Sequence, residues 1–115
     1  MLDQTEMQAL GLIKIVLTTF PDREQAERVS QQMVECGLVA CAQVGQPVTS
    51  FYEWEGVVER ATEYPVTYKV SVERERDMRE RLLSLHPYDT PQIVILEGQA
   101  SAEYAAWVNQ RRSES

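Results

Sequence analysis

The sequence predicts an α+β fold of the ferredoxin-like split βαβ type, an antiparallel sheet with helices on one face, plus a C-terminal helix. Hydrophobic periodicity predicts this class, because it changes along the chain in the order strand, helix, three strands, helix, strand, helix. The length of 115 residues, of which 43% are hydrophobic, suffices for one core but not for two. We therefore predict one domain at residues 12–112, a flexible N-terminal leader at 1–11 and a polar tail at 113–115.

The first three elements are predicted to form a βαβ unit. Residues 12–19, LIKIVLTT, are mostly apolar and β-branched, which is typical of a buried strand. A helix follows, because Asp22 can cap its N-terminus and Gly37 can adopt the left-handed conformation that ends it. Residues 38–44 then form the second strand. The inward face of the helix is expected to carry Ala26, Val29, Met33 and Val34.

Two more strands are predicted after the turn at GQP. Residues 48–61 alternate with a period of two, and we expect one long, curved strand that bends at Gly56. Residues 63–73 are predicted to be its hairpin partner. Pro65 is expected at an edge or a bulge of this strand, because proline has no backbone donor for a sheet ladder.

The last third of the chain predicts a helix, a strand and a short terminal helix. Residues 73–85 carry a dense ladder of charges on an outward helical face. Residues 92–97, QIVILE, are predicted to be the last core strand. Ser101 can cap the final helix. Its buried side chains are expected to be Tyr104, Trp107 and Val108.

Acidic residues outnumber basic residues by 18 to 11, which gives a net charge of −7. This charge disfavours the phosphate backbone of nucleic acids as a partner. The N-terminus carries acids where a secretory signal carries basic residues, and no apolar run is long enough to span a membrane. We therefore expect a cytoplasmic protein that binds neither nucleic acid nor membrane, with Cys36 and Cys41 as reduced thiols.

Several stretches of the chain resemble one protein family in their order and spacing. They are TTFPDREQAERVSQQMVECGLVACAQV, TSFYEWEGVVERATE, YKV, LHPYDTPQIV and EYAAWV. Together they resemble the CutA divalent-cation tolerance family over residues 12–109. The resemblance implies a ferredoxin-like protomer that assembles as a tight homotrimer, a role in copper and divalent-metal tolerance, and no catalytic activity. In architecture it is also similar to the PII nitrogen-regulatory signalling proteins, which implies ligand clefts between subunits.

The resemblance also implies a set of clustered polar positions, several of which line an intersubunit cleft in the family. In this chain they are Cys41, Ser50, Tyr52, Trp54, Glu63, Lys69, His86 and Tyr88. The chain departs from the family pattern at Gln43, Glu53 and Val70. We expect these departures to affect ligand specificity and not the fold.

Cys41 and His86 are the predicted metal ligands, and each also fits a plainer interpretation. A soft thiolate selects Cu(I), whereas a cysteine in an alternating strand is also typical of a small buried side chain. Pro87 restricts the backbone of His86, so the only imidazole of the chain is presented from a rigid loop. That ring would serve either as a metal ligand or as a structural hydrogen-bonding group. Cys36, near a helix end, is expected to be an ordinary core or surface side chain and not a metal ligand.

Two hypotheses of function follow. The first is a homotrimer in divalent-cation tolerance that binds copper through Cys41 and His86. The second is a PII-like signalling or scaffold trimer that binds a small molecule or a partner protein at its clefts, where Lys69 would pair with Glu63 or hold an anionic ligand. No catalytic loop motif occurs in the sequence, so we do not expect an enzyme. We expect no required cofactor, and copper or another divalent metal ion is the candidate ligand.

Overall fold

Strand β1 is the central strand of an antiparallel sheet in the computed structural model, which describes residues 9–110. The sheet has the order β2-β4-β1-β5, and β3 pairs with β4. This topology confirms the predicted α+β class. The first eight positions of the predicted leader and the predicted tail lie outside the described residues. The elements are β1 Leu10–Phe20, α1 Arg23–Glu35, β2 Cys41–Val44, β3 Val48–Trp54, β4 Val57–Val70, α2 Glu75–Leu85, β5 Val94–Ser101 and α3 Ala102–Asn109.

The alternation of side chains along β1 divides the core between the two faces of the sheet. Val16 and Phe20 lie on the face covered by α1 and α2, the α1/α2 face, and both are fully buried. Ile13 and Ile15 lie on the opposite face, the α3 face, where they pack against Ala105 and Val108. The prediction placed helices on one face and left the position of the terminal helix open. Helix α3 covers the other face.

The segment predicted as one curved strand over 48–61 is instead a hairpin, so this prediction was wrong. Strand β3 ends at Trp54, the chain turns at Glu55 and Gly56, and β4 runs without interruption from Val57. Glu55 has φ 50° and Gly56 has φ 80°, the two positive angles that a type I′ hairpin turn requires. The pairs run in register from Val48 opposite Glu63 to Trp54 opposite Val57. Residues 48–63 are called the β3–β4 hairpin below.

Pro65 lies inside β4, at the break between its two neighbours β2 and β3. Its carbonyl accepts a hydrogen bond of 2.8 Å from the amide of Gly45, on the side of the sheet where β2 has just ended. The amide and the carbonyl of one residue point to the same side in an antiparallel strand. The missing donor of Pro65 therefore faces this break and interrupts no ladder. The prediction of an edge or bulge position was wrong, because β4 lies between β2 and β1 in the sheet.

The helix caps follow the sequence prediction, whereas several apolar side chains do not. The amide of Gln25 donates to the Asp22 carboxylate at 2.8 Å, and Gly37 has φ 78° at the end of α1. Val34, predicted to face inward, is 43% exposed. Four more apolar side chains that were predicted in the core are at least partly exposed, because α3 is held mainly through Ala105 and Val108 and because β5 is an edge strand. They are Tyr104, Trp107, Val94 and Leu96. Within residues 9–110, the helices are too short or too polar to cross a lipid bilayer.

Candidate functional site

An open cleft of about 820 Å³ lies between the β3–β4 hairpin and the loop of residues 86–93, which joins α2 to β5. Ser50, Tyr52 and Trp54 point into it together, because alternate residues of a strand share one face. The remaining lining comes from four places: the end of β1, strand β3, strand β4 and the 86–93 loop. It consists of Thr19, Phe51, Glu59, Ala61, Glu63, Tyr88, Asp89, Thr90, Pro91 and Gln92.

The Glu63 carboxylate is the centre of a hydrogen-bond network at the closed end of the cleft. Its Oε2 atom accepts hydrogen bonds from Thr19 Oγ1 at 2.9 Å and from the hydroxyl of Tyr88 at 3.1 Å. Burial raises the pKa of Glu63, but the hydrogen bonds from Ser50, Thr19 and Tyr88 outweigh it and hold this pKa below the ordinary value of 4.5. Glu63 is therefore an anion at neutral pH.

Tyr88 links the loop to the hairpin. Burial and the neighbouring carboxylate of Glu63 raise the pKa of Tyr88 to about 12, so its hydroxyl keeps the proton that it donates. This bond is the direct contact that holds the two walls of the cleft together at Glu63. The loop wall consequently depends on where the backbone places residue 88.

His86 fixes that backbone position from behind the cleft. The amide of Tyr88 donates to Nδ1 at 3.2 Å, so Nδ1 is the acceptor and Nε2 carries the proton. Nε2 donates to the carbonyl of Thr19 at 2.8 Å and lies 3.1 Å from Thr18 Oγ1. The ring is stacked on Phe20 with centroids 4.6 Å apart. Both nitrogens of the buried imidazole are therefore used within the protein.

Burial lowers the pKa of His86 below its ordinary value of 6.5. The carbonyl of Thr19 and the negative charge of Glu63 favour the charged ring, but they offset only part of this effect. His86 is thus neutral in the folded protein at physiological pH. A protonated ring would lose the acceptor that receives the amide of Tyr88.

The structure brings together five of the eight positions implied by the family resemblance. Ser50, Tyr52, Trp54, Glu63 and Tyr88 line one cleft, and His86 supports it through the loop. The other two positions, Cys41 and Lys69, do not line this cleft.

Cys41 and Lys69 are paired residues of β2 and β4 on the α3 face. Lys69 Nζ donates to Gln43 Oε1 at 2.6 Å. The suggested pairing of Lys69 with Glu63 is therefore wrong; Gln43, a departure from the family pattern, takes that place. Cys36 and Cys41 are both free and half-buried, and Cys36 Sγ lies 3.5 Å from the carbonyl of Met33.

Cys41 and His86 do not form a joint metal site within one chain. Cys41 shares the α3 face with Ile15, through its pairing with Lys69, whereas His86 contacts Thr18 and Phe20 on the α1/α2 face. One ion cannot reach both side chains through the sheet. In the described part of the chain, no group of three or more histidine, cysteine, aspartate or glutamate residues is placed to hold a metal ion.

Eight of the thirteen residues that line the cleft were not predicted from the sequence, among them Thr19, Glu59 and Asp89. Glu59 lies directly opposite Tyr52 in the β3–β4 hairpin. The prediction of one strand over residues 48–61 left no cross-strand pair in this segment. A turn predicted at Glu55 and Gly56 would have paired Tyr52 with Glu59. Thr19 ends an apolar strand, and its sequence carries no signal that sets it apart.

Comparisons with known proteins agree with this architecture. The family model described as CutA1 divalent ion tolerance protein matches residues 14–111. The divalent-cation tolerance protein CutA of Thermococcus kodakarensis is 37% identical over 95 residues, which cover 82% of this chain and 90% of that protein. The protein of the same name from Escherichia coli O81 is 33% identical over 110 residues, 95% of this chain and 96% of its own. The crystal structure of divalent ion tolerance protein CutA1 from Ehrlichia chaffeensis has a TM-score of 0.81 at 33% identity, covering 84% of this chain and 92% of that one.

We predict that acid destabilises the protein in two separable steps. The unfolded chain takes up a proton at His86 near pH 6.5, whereas the folded chain does so only at lower pH, so stability declines as the pH falls through this window. The stability contributed by ionised Glu63 is present above pH 4.5 and is lost as the pH falls toward its lower folded pKa. The measurement is the melting temperature as a function of pH.

The variant His86→Gln separates the two steps, because glutamine keeps a donor for the carbonyl of Thr19 and the chain has no other histidine. We expect the variant to lose the first decline and to keep the second. A wild-type melting temperature that stays level as the pH falls below 6.5 would contradict the role assigned to the neutral ring.

Proposed function

The chain belongs to the CutA1 divalent ion tolerance protein family, and from this premise we propose that it acts in divalent-cation tolerance as a homotrimer. Its relatives from Thermococcus kodakarensis and Escherichia coli are named divalent-cation tolerance proteins. The functional site is the cleft between the β3–β4 hairpin and the 86–93 loop. Ligand binding there, in the manner of a PII-like sensor, is the activity on which the tolerance depends.

One observation carries this proposal: the cleft collects five of the family positions around an ionised carboxylate. Glu63 is held by three hydroxyl donors, so its position and charge are fixed before any ligand arrives. The surrounding rings of Tyr52 and Trp54 are 48% and 63% exposed. Rings that project into an open cleft beside a fixed charge are typical of a site for a small ligand.

The homotrimer is supported by the apolar side chains that the β3–β4 hairpin leaves in water. Phe51 is 67% exposed, Val57 59% and Val58 73%, and all three lie on strands with an edge free in the described chain. Exposed apolar edges of this kind are usually paired or covered. In the proposed trimer the hairpins of neighbouring subunits cover one another, and each cleft lies at a subunit boundary.

We propose no catalytic step in this cleft. A hydroxyl such as that of Ser50 is usually activated as a nucleophile by an adjacent general base such as a histidine. The imidazole of His86 has both nitrogens bonded to the protein and lies behind the loop wall. The site therefore binds and releases a ligand unchanged.

For copper, we infer that only one of the two predicted ligands, Cys41, takes part in binding. The two side chains lie on opposite faces of the sheet, so a copper ion taken up by the reduced chain binds through the sulfur of Cys41 and not through the imidazole. A soft thiolate favours Cu(I) over harder divalent ions. Copper in this form is a cargo or an effector of the protein and not a resident cofactor.

The tolerance role is tested by deleting the gene in its native host and returning it on a plasmid. The deletion is expected to lower the Cu²⁺ concentration that stops growth, and the wild-type gene to restore it. Glu63→Gln, which removes the charge but keeps the shape, is expected to fail. Glu53→Gln, on the opposite face of the hairpin, is the matched control and is expected to succeed. Equal sensitivity of the parent and the deletion strain would refute the proposal.

The assembly is tested by light scattering after gel filtration. The wild-type protein is expected at three times the chain mass of 13.2 kDa. Val58→Asp places a charge in the proposed interface and is expected to yield the monomer, because an unpaired buried charge is costly. Val34→Asp, at an exposed valine of α1, is expected to remain trimeric. A wild-type monomer would defeat the assembly claim.

The copper inference is tested by an anaerobic Cu(I) chelator-competition titration. Cys41→Ser is expected to abolish competition with the chelator, because it removes the soft donor. Cys36→Ser serves as the control thiol and is expected to compete like the wild type. His86→Gln is expected to compete like the wild type as well. If His86→Gln remains a trimer but no longer competes with the chelator, the imidazole is a copper ligand and the inference is wrong.

A further inference from the structure

We propose that the cleft binds a small organic ammonium ion, held by the rings of Tyr52 and Trp54 and by the carboxylates beside them. This inference rests on the proposed role of the cleft and specifies the chemical class of its ligand. The proposed site is the hairpin wall of the cleft, where aromatic side chains of β3 lie beside acidic side chains of β4. The bound species is neither a bare metal ion nor an anion.

The charges of the cleft have one sign. Glu59, Glu63 and Asp89 line it, and none of the lining residues is lysine, arginine or histidine. Glu63 is fixed as an anion by its hydroxyl donors. A cavity with acidic walls concentrates cations and repels anions. The alternative in which Lys69 holds an anion here is excluded, since Lys69 is bonded to Gln43 outside this cleft.

The aromatic side chains extend this preference to organic cations. Tyr52 lies directly across the hairpin from Glu59, so a ring and a carboxylate face the same volume. Aromatic faces attract ammonium groups, most strongly where water is displaced. The hairpin contains an internal precedent, because the guanidinium of Arg60 lies 5.8 Å from the centre of the Phe51 ring. The Trp54 ring, 63% exposed, offers the same kind of surface to the cleft.

A bare divalent ion fits this cleft poorly. Oε2 of Glu63 already accepts two hydroxyl donors, and the described acids form no group of three that could surround an ion. Hard divalent cations require about six oxygen ligands at short distance. A volume of about 820 Å³ is instead in the range of sites for small organic molecules. The size of the cleft and the geometry of its carboxylates therefore favour a small organic cation, as its negative charge does.

The test is calorimetric titration of the assembled wild-type protein with choline and with spermidine. The neutral control for choline is 3,3-dimethyl-1-butanol, which has the same shape with carbon in place of the charged nitrogen. We expect saturable binding of at least one ammonium probe, and no binding of the neutral control at the same concentration. The proposal would be overturned if choline and its neutral analogue bound equally well, or if neither choline nor spermidine bound.

Two pairs of variants locate the binding on the cleft face of the hairpin. Glu59→Gln is expected to raise the Kd about tenfold, whereas Glu53→Gln on the other face leaves it unchanged. Trp54→Leu is expected to weaken binding, and Trp107→Leu, at an exposed tryptophan of α3 that does not line the cleft, to preserve it. Equal effects within either pair would contradict the assignment of the site.

Failure of this inference and failure of the proposed function give different results. If the ammonium probes are silent while Glu63→Gln still abolishes metal tolerance in cells, the ligand class is wrong and the cleft retains its role. If the deletion strain is as tolerant as its parent, the tolerance role fails whatever the titration shows.

Discussion

The bond from His86 Nε2 to the carbonyl of Thr19 is the contact on which the shape of the site depends. Strand β5 begins to pair with β1 at Leu17, so the last three residues of β1 have no strand beside them on that side. The imidazole takes the place of the absent strand at Thr19, and Pro87 prevents the chain from continuing as a helix. The loop is thereby positioned so that Tyr88 reaches Glu63. Without this anchor, the cleft would have only its hairpin wall.

The two walls of the cleft are held by contacts of different sequence range. The hairpin wall is local, because the turn at Glu55 and Gly56 fixes the register of every pair from there to Glu63. The loop wall is long-range, because His86 and Thr19 are 67 positions apart in the sequence. Their meeting point, the bond from Tyr88 to Glu63, is also where the charge of the site is fixed.

Much of the fold could be predicted from the sequence, since caps such as Asp22 and Gly37 and the alternating apolar strands are local signals. The hairpin could not, because its turn places a glutamate where asparagine, aspartate or glycine is the usual signal. The family resemblance included five residues that line the cleft but not their partners, such as Glu59 and Thr19, because a partner across strands depends on register. It also suggested that Cys41 and His86 act together, and only the pleat of the sheet separates them onto opposite faces.

Pro65 gives the molecule a mechanical property. Strand β4 is one ribbon of 14 residues that belongs to the body of the domain at one end and to the hairpin at the other. Pro65 lies where β1 and β2 give way to β3 as the neighbours of β4. Its ring locks one backbone torsion at this point without breaking a ladder bond. The proline ring therefore restricts the backbone of β4 at the point where the hairpin joins the body of the domain.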